Sequence, residues 1–242
     1  MQTEEFAGAS KINTSFLSPL ERRLAPLVIP RIPKWLETYH LTLLTLLWSF
    51  MILVFSALAA NNLRWLWLVS VMIFLQWVTD HYDGKIGKYR NTGLVRWGYY
   101  MDHLLDYFFL CSIIVGYAFI LPDKARFQLL LLLALFAAYD FSAFLAFAAT
   151  DKLKISYLKF GPTEFRLAVI IINGLLISFG TKHMLSGLKW VNAGAAVGLV
   201  FLIYGTQKKI WRLDMEDHDP GIVINPETVL EKPYVPAEEC TY

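Results

Sequence analysis

Four aspartates, Asp80, Asp83, Asp102 and Asp106, stand close together in the chain with strongly apolar runs on both sides. Asp80, Asp83, Gly84, Gly87 and Lys88 follow at offsets 0, 3, 4, 7 and 8, which on an α-helix form a single stripe. Gly98, Asp102 and Asp106, at offsets 0, 4 and 8, form a second stripe on the next helix. Two antiparallel neighbours would bring the four carboxylates together. Charges near hydrocarbon are costly unless paired, and clustered carboxylates resist ionising together. One or two divalent cations would relieve both problems, and all-oxygen ligation with no nearby cysteine favours Mg²⁺ or Mn²⁺ over Zn²⁺. Gly84, Gly87 and Gly98 leave space beside the carboxylates for a bulky ligand. Each alone reads equally as a helix-packing glycine.

The elements that must carry these stripes are membrane helices. The 242 residues are 56% hydrophobic, 15% aromatic and only 17% charged, with a mean hydropathy of +0.45. The apolar residues lie in runs long enough for helical spans and too uniform for barrel strands. The expectation is an all-α polytopic protein with six spans at about 41–60, 65–82, 99–121, 126–148, 166–181 and 189–206. Residues 1–15 read as a mobile N-terminus and 207–242 as a polar tail on the cytoplasmic side. Residues 16–40 read as an interfacial amphipathic helix: Ser18, Pro19 and Glu21 suit its start, and Leu20, Leu24, Leu27 and Val28 share a face.

Six spans put both termini on one side. Of the 22 Lys and Arg, all but Arg64, Lys124, Arg126, Lys182 and Lys189 then fall on that side, so it is expected to be cytoplasmic. A net charge of +2 gives no nucleic-acid footprint. Cys111 and Cys240 form no disulfide or metal framework, and the first 30 residues show no cleavable signal peptide.

The two stripes, Asp80-x-x-Asp83-Gly84-x-x-Gly87-Lys88 and Gly98-x-x-x-Asp102-x-x-x-Asp106, resemble the signature of the CDP-alcohol phosphotransferases. That signature reads D-x-x-D-G-x-x-A-R, then G-x-x-x-D-x-x-x-D. Gly87 stands for the usual Ala and Lys88 for the usual Arg, and nine residues separate Lys88 from Gly98. The resemblance covers roughly residues 16–206. "DGK" at 83–85, "DH" at 102–103 and "GPTE" at 161–164 look like the choline/ethanolamine branch, which joins a CDP-linked amino alcohol to diacylglycerol.

The resemblance implies displacement at the β-phosphorus of a CDP-alcohol by an acceptor hydroxyl, with release of CMP. It makes Asp80, Asp83 and Asp102 metal ligands and Asp106 a ligand, the general base, or both, around two ions of Mg²⁺ or Mn²⁺. His103 is a second base, oriented by Glu164, or else a structural histidine. Gly84, Gly87 and Gly98 would admit the nucleotide, with Lys88 and Arg90 at its diphosphate. Arg166, Lys152, Lys154 and Lys159 read as solvated or headgroup-facing charge, or as a lipid-phosphate site. Asp140, inside the fourth span, stays outside the site. The resemblance also implies a homodimer in the bacterial inner membrane or endoplasmic reticulum, with a CDP-linked alcohol, a lipid substrate and membrane lipids as partners.

Three rivals stand beside this reading. One uses CDP-diacylglycerol and a soluble alcohol acceptor such as glycerol phosphate or inositol, and would need a basic pocket for the acceptor. Another is a membrane cation transporter, which would need acidic groups along a path through the bilayer. The third is a receptor-like or scaffold protein with a degenerate site, disfavoured by the presence of all four aspartates.

Overall fold

A computed structural model describes residues 4–6, 9–11, 29–150 and 162–217. Apart from an antiparallel ribbon of β1 (Glu4–Phe6) and β2 (Ala9–Lys11), with Glu4 opposite Lys11, the described fold is helical. Its helices are α1 (Thr38–Ala59), α2 (Leu66–Arg90), α3 (Val95–Ile120), α4 (Arg126–Thr150), α5 (Pro162–Phe179) and α6 (Met184–Asp217). Most of the expected amphipathic helix, residues 16–28, lies outside the described residues. Its end does not continue as α-helix: Ile29–Arg31 is a 3-10 turn, and α1 starts at Thr38. A reciprocal Glu37–His40 capping box closes the start of α1.

Five helices (α1, α3, α4, α5 and α6) are long and apolar enough to cross a membrane. α2 is the exception among the six, because Gln76, Asp80, His81 and Asp83 interrupt its apolar run. The helices also outlast the apolar runs that mark them. α2 continues through Arg90, and α6 reaches Asp217, inside the segment read as a polar tail. Backbone hydrogen bonding within a helix does not require apolar side chains, so hydropathy marks the span and not the helix ends.

α1 packs against α2 and α3, α2 against α5, α3 against α4, and α4 against α6. Ile52, Leu66, Ile73 and Ile86 are fully buried where the first helices meet. At the α1–α3 crossing a Cβ on Gly116 would press on the Ser56 side chain, so glycine there lets the two helices approach without displacing it. Facing outward are large apolar side chains such as Phe50, Phe127, Trp190 and Phe201, as a lipid-exposed surface requires. Near one end of the bundle, Asn173 of α5 donates to Ser70 of α2 (3.0 Å) and accepts from the Tyr117 hydroxyl of α3 (2.8 Å). All three are buried, and together they fix α2, α3 and α5 to one another.

Candidate active site

The polar end of α2 and the start of α3 are joined by only four residues. Asn91 takes the left-handed conformation (φ 53°), and the N–H groups of Asn91 and Thr92 cap the carbonyls of Lys88 and Gly87. Gly93, at φ 72°, supplies a second left-handed turn. This tight link reverses the chain, and α1, which packs on both α2 and α3, sets the two aspartate stripes towards each other.

One carboxylate oxygen from each of Asp80, Asp102 and Asp106 lies within 4.8 Å of the others, and all three residues are half-buried. Asp83 stands apart from this group. Its Oδ2 accepts from the buried Thr42 hydroxyl of α1 at 3.0 Å, and its Oδ1 accepts from the Gly84 N–H. Three of the four expected carboxylates thus meet within 4.8 Å, while Asp83, on the same stripe, is engaged with Thr42 of α1.

A cation from α5 completes the cluster. Arg166 is only 4% exposed, yet its Nη2 lies 3.0 Å from Asp80 Oδ2 and 3.1 Å from Asp106 Oδ1. Its guanidinium also sits 5.6 Å from the centre of the Phe109 ring. Gln76, fully buried one turn before Asp80, donates its Nε2 to the same Asp106 Oδ1 at 3.3 Å. The Gln76 Oε1 has no hydrogen-bond partner among the described residues. Three carboxylates meet beside one buried guanidinium, and a buried amide oxygen next to them has no donor among the described residues. Oxygen ligands gathered in this way, with an unsatisfied acceptor for a metal-bound water, fit a hard divalent cation.

A family model for CDP-alcohol phosphatidyltransferases matches residues 38–203, from the first residue of α1 into α6. The chain belongs to this family. Comparison with curated proteins finds no match. As a CDP-alcohol phosphatidyltransferase it is a transferase of phosphate-containing groups in phospholipid head-group chemistry, and the family is generally dependent on divalent metal.

Within this CDP-alcohol phosphatidyltransferase the other expected residues separate. Gly84 and Gly98 have open space where a Cβ would be, beside the carboxylates. A Cβ on Gly87 would instead lie 3.0 Å from Thr38 Oγ1 and 3.4 Å from Thr92 Oγ1, so Gly87 faces the start of α1 more closely than Gly84 or Gly98 face any neighbour. Lys88 is exposed on the last turn of α2. Arg90 is committed elsewhere. It donates to the carbonyls of Ile32, Pro33, Lys34 and Leu36 and lies 3.6 Å from Glu37, so it staples the segment before α1 to the end of α2. A guanidinium fork spent on four carbonyls has little left for a diphosphate.

His103 packs edge-on to Tyr99 (4.5 Å between centroids) and against Phe144 of α4 (5.6 Å). Glu164 lies in the first turn of α5, two residues before Arg166. Asp140 lines an apolar groove with Tyr107, Phe141 and Phe144 and takes no part in the carboxylate group. Lys152, Lys154 and Lys159 fall outside the described residues.

Sequence reasoning missed Gln76 and Thr42 and misassigned Arg166 to headgroups or solvent. Gln76 sits four residues before Asp80 on the same stripe, a signal that was present. Arg166 opens an apolar helix, and an ionisable residue there calls for a buried partner by the same rule that singled out Asp140.

Proposed function

We propose that this protein is a metal-dependent CDP-alcohol phosphotransferase that moves a phospho-alcohol of the choline/ethanolamine class onto a diacylglycerol-like hydroxyl, releasing CMP. The observation that carries this reading is the meeting of Asp80, Asp102 and Asp106 at the family's signature positions, one helix turn from the open faces of Gly84 and Gly98. Asp80, Asp102 and Asp106 would hold the metal, with Asp83 in reserve behind its Thr42 contact. Bound there, two ions of Mg²⁺ or Mn²⁺ would offset charge on the phosphoryl oxygens and on departing CMP.

The acceptor oxygen attacks the β-phosphorus, a new P–O bond forms, and the bond to the CMP oxygen breaks. The hydroxyl proton passes to Asp106 or to His103, the latter oriented by Glu164. The Gly84 and Gly98 faces admit the nucleotide, and Lys88 lies near its diphosphate. All six helices cross the bilayer, α2 included, and the carboxylate end opens to the cytoplasm, on the side where the basic residues collect. The working unit is a homodimer in the bacterial inner membrane or endoplasmic reticulum.

The neutral Tyr117–Asn173–Ser70 network, further along the same helices, speaks against an acidic path for ion transport.

The test is CMP release by purified protein in lipid nanodiscs. CDP-choline or CDP-ethanolamine with diacylglycerol is compared with CDP-diacylglycerol plus glycerol phosphate or inositol, with and without chelator. Asp80→Asn is the blank. Chelator-sensitive release from the first donors supports the proposal. Release only from CDP-diacylglycerol moves the protein to the other branch, and no release with any donor rejects the enzyme reading.

A further inference from the structure

Arg166 poses a problem that its ion pairs do not by themselves explain. The guanidinium is buried inside a helical bundle, where a charge is tolerated only with close partners. It finds them in the carboxylates that suit a metal ion. Without a cation of some kind, three carboxylates whose oxygens lie within 4.8 Å would repel one another and splay. With Arg166 in place, an incoming metal meets Asp80 and Asp106 each with one oxygen already engaged. It must also approach a positive charge about 3 Å from both.

We propose that Arg166 is a built-in counter-cation of the carboxylate group, holding Asp80 and Asp106 together before metal binds and weakening the metal's grip once it does. The inference rests on the metal-dependent reading above. A metal held loosely in this way exchanges readily, while the apo site keeps its shape. The side chain's length suits this role, since Nη2 alone reaches carboxylates on both α2 and α3 from a helix that packs against α2. Gln76 assists by fixing the same Asp106 oxygen, which directs the engaged side of that carboxylate towards α2 and α5.

This assignment predicts the opposite of what a merely structural arginine would give. Removing a structural ion pair loosens the site and weakens metal binding. Removing a counter-cation tightens it. Full-length protein in nanodiscs, stripped of metal, is titrated with Mn²⁺ by electron paramagnetic resonance of the free ion, and its thermal unfolding is followed with and without Mn²⁺. Arg166→Gln is expected to bind Mn²⁺ about tenfold or more tightly than wild type. It should unfold at a lower temperature without metal and recover most of that loss in saturating Mn²⁺. Arg166→Lys, which keeps the charge and loses the fork, should stay within about threefold of wild type.

Equal or weaker Mn²⁺ binding by Arg166→Gln overturns the inference and leaves the metal-dependent reading standing. An Arg166→Gln protein that will not fold even when prepared in saturating Mn²⁺ also overturns it, because the metal then fails to replace the guanidinium. Asp102→Asn is the separate control. If wild-type binding does not depend on Asp102, the metal-dependent reading itself fails, and the inference falls with it.

Discussion

The same three helices are joined twice by polar side chains, and the two junctions differ in kind. Towards one end, Ser70, Tyr117 and Asn173 tie α2, α3 and α5 with neutral hydrogen bonds of 2.8 and 3.0 Å. Seven residues earlier on α5, about two turns, Arg166 meets Asp80 of α2 and Asp106 of α3, with Asp102 alongside. In the first junction the asparagine amide is used on both its oxygen and its nitrogen. In the second, three carboxylates crowd one guanidinium, and both a buried glutamine oxygen and the Arg166 Nε are left over among the described residues. A network whose donors and acceptors match holds helices together. One that leaves buried polar atoms over is built to receive something.

The largest expected effect falls on the unbalanced junction. Asp106→Asn should cut CMP release on the order of 10²–10³-fold, yet it relieves like-charge repulsion and should leave the unfolding temperature at or above wild type. A clear fall in unfolding temperature would erase the distinction between the two junctions.

The balanced junction should behave the other way. Asn173→Leu strands the Tyr117 hydroxyl and removes a donor from Ser70, costing about 1–3 kcal/mol in denaturant unfolding. CMP release per folded molecule should stay within about twofold, since nothing in that junction carries excess charge to be matched by a ligand. A large loss of turnover without loss of stability would show that this junction also serves the reaction.

Thr42→Val tests whether a neutral contact can belong to the site. It deletes the donor to Asp83 Oδ2 while keeping shape, and CMP release should fall about tenfold, with Thr42→Ser restoring most of it. An unchanged rate would make Asp83 a structural aspartate. The smallest change is expected for Gly87→Ala, which restores the residue more usual in the family signature. Its Cβ would press on Thr38 Oγ1 at 3.0 Å, a contact relieved by a shift of a few tenths of an ångström. Stability and rate should both stay near wild type, within about 0.5 kcal/mol. A rate collapse at this position would return Gly87 to the nucleotide pocket.

Much of the site was legible along the chain because helical spacing decides which residues of one helix share a face. Asp80 falls in register with Gln76, and Asp102 with Asp106, whatever surrounds them. The short turn through Asn91 and Gly93 reverses the chain between α2 and α3, while the facing of the two stripes also needs α1, which packs on both. Hydropathy likewise marked where the six long described helices lie, five of them apolar enough to span, though not their ends, because polar last turns such as those of α2 still close their backbone hydrogen bonds.

What one helix cannot determine is how its neighbours rotate against it. Asp83 lies on the same stripe as Asp80 and takes a hydrogen bond that its own helix does not foretell, because α1 presents Thr42 at that height. Arg90 reads as a phosphate ligand from its place beside the signature, but the segment ahead of α1 offers it four carbonyls first. Arg166 reads as a surface charge at the start of an apolar helix, and the packing of α5 on α2 buries it among carboxylates far away in sequence. The sequence by itself determined the helices, their apolar faces and the residues able to bind metal, since these depend on local periodicity. Which charges pair, and which aspartate is engaged by α1, were decided only by tertiary packing, because a charge takes the partner nearest in space.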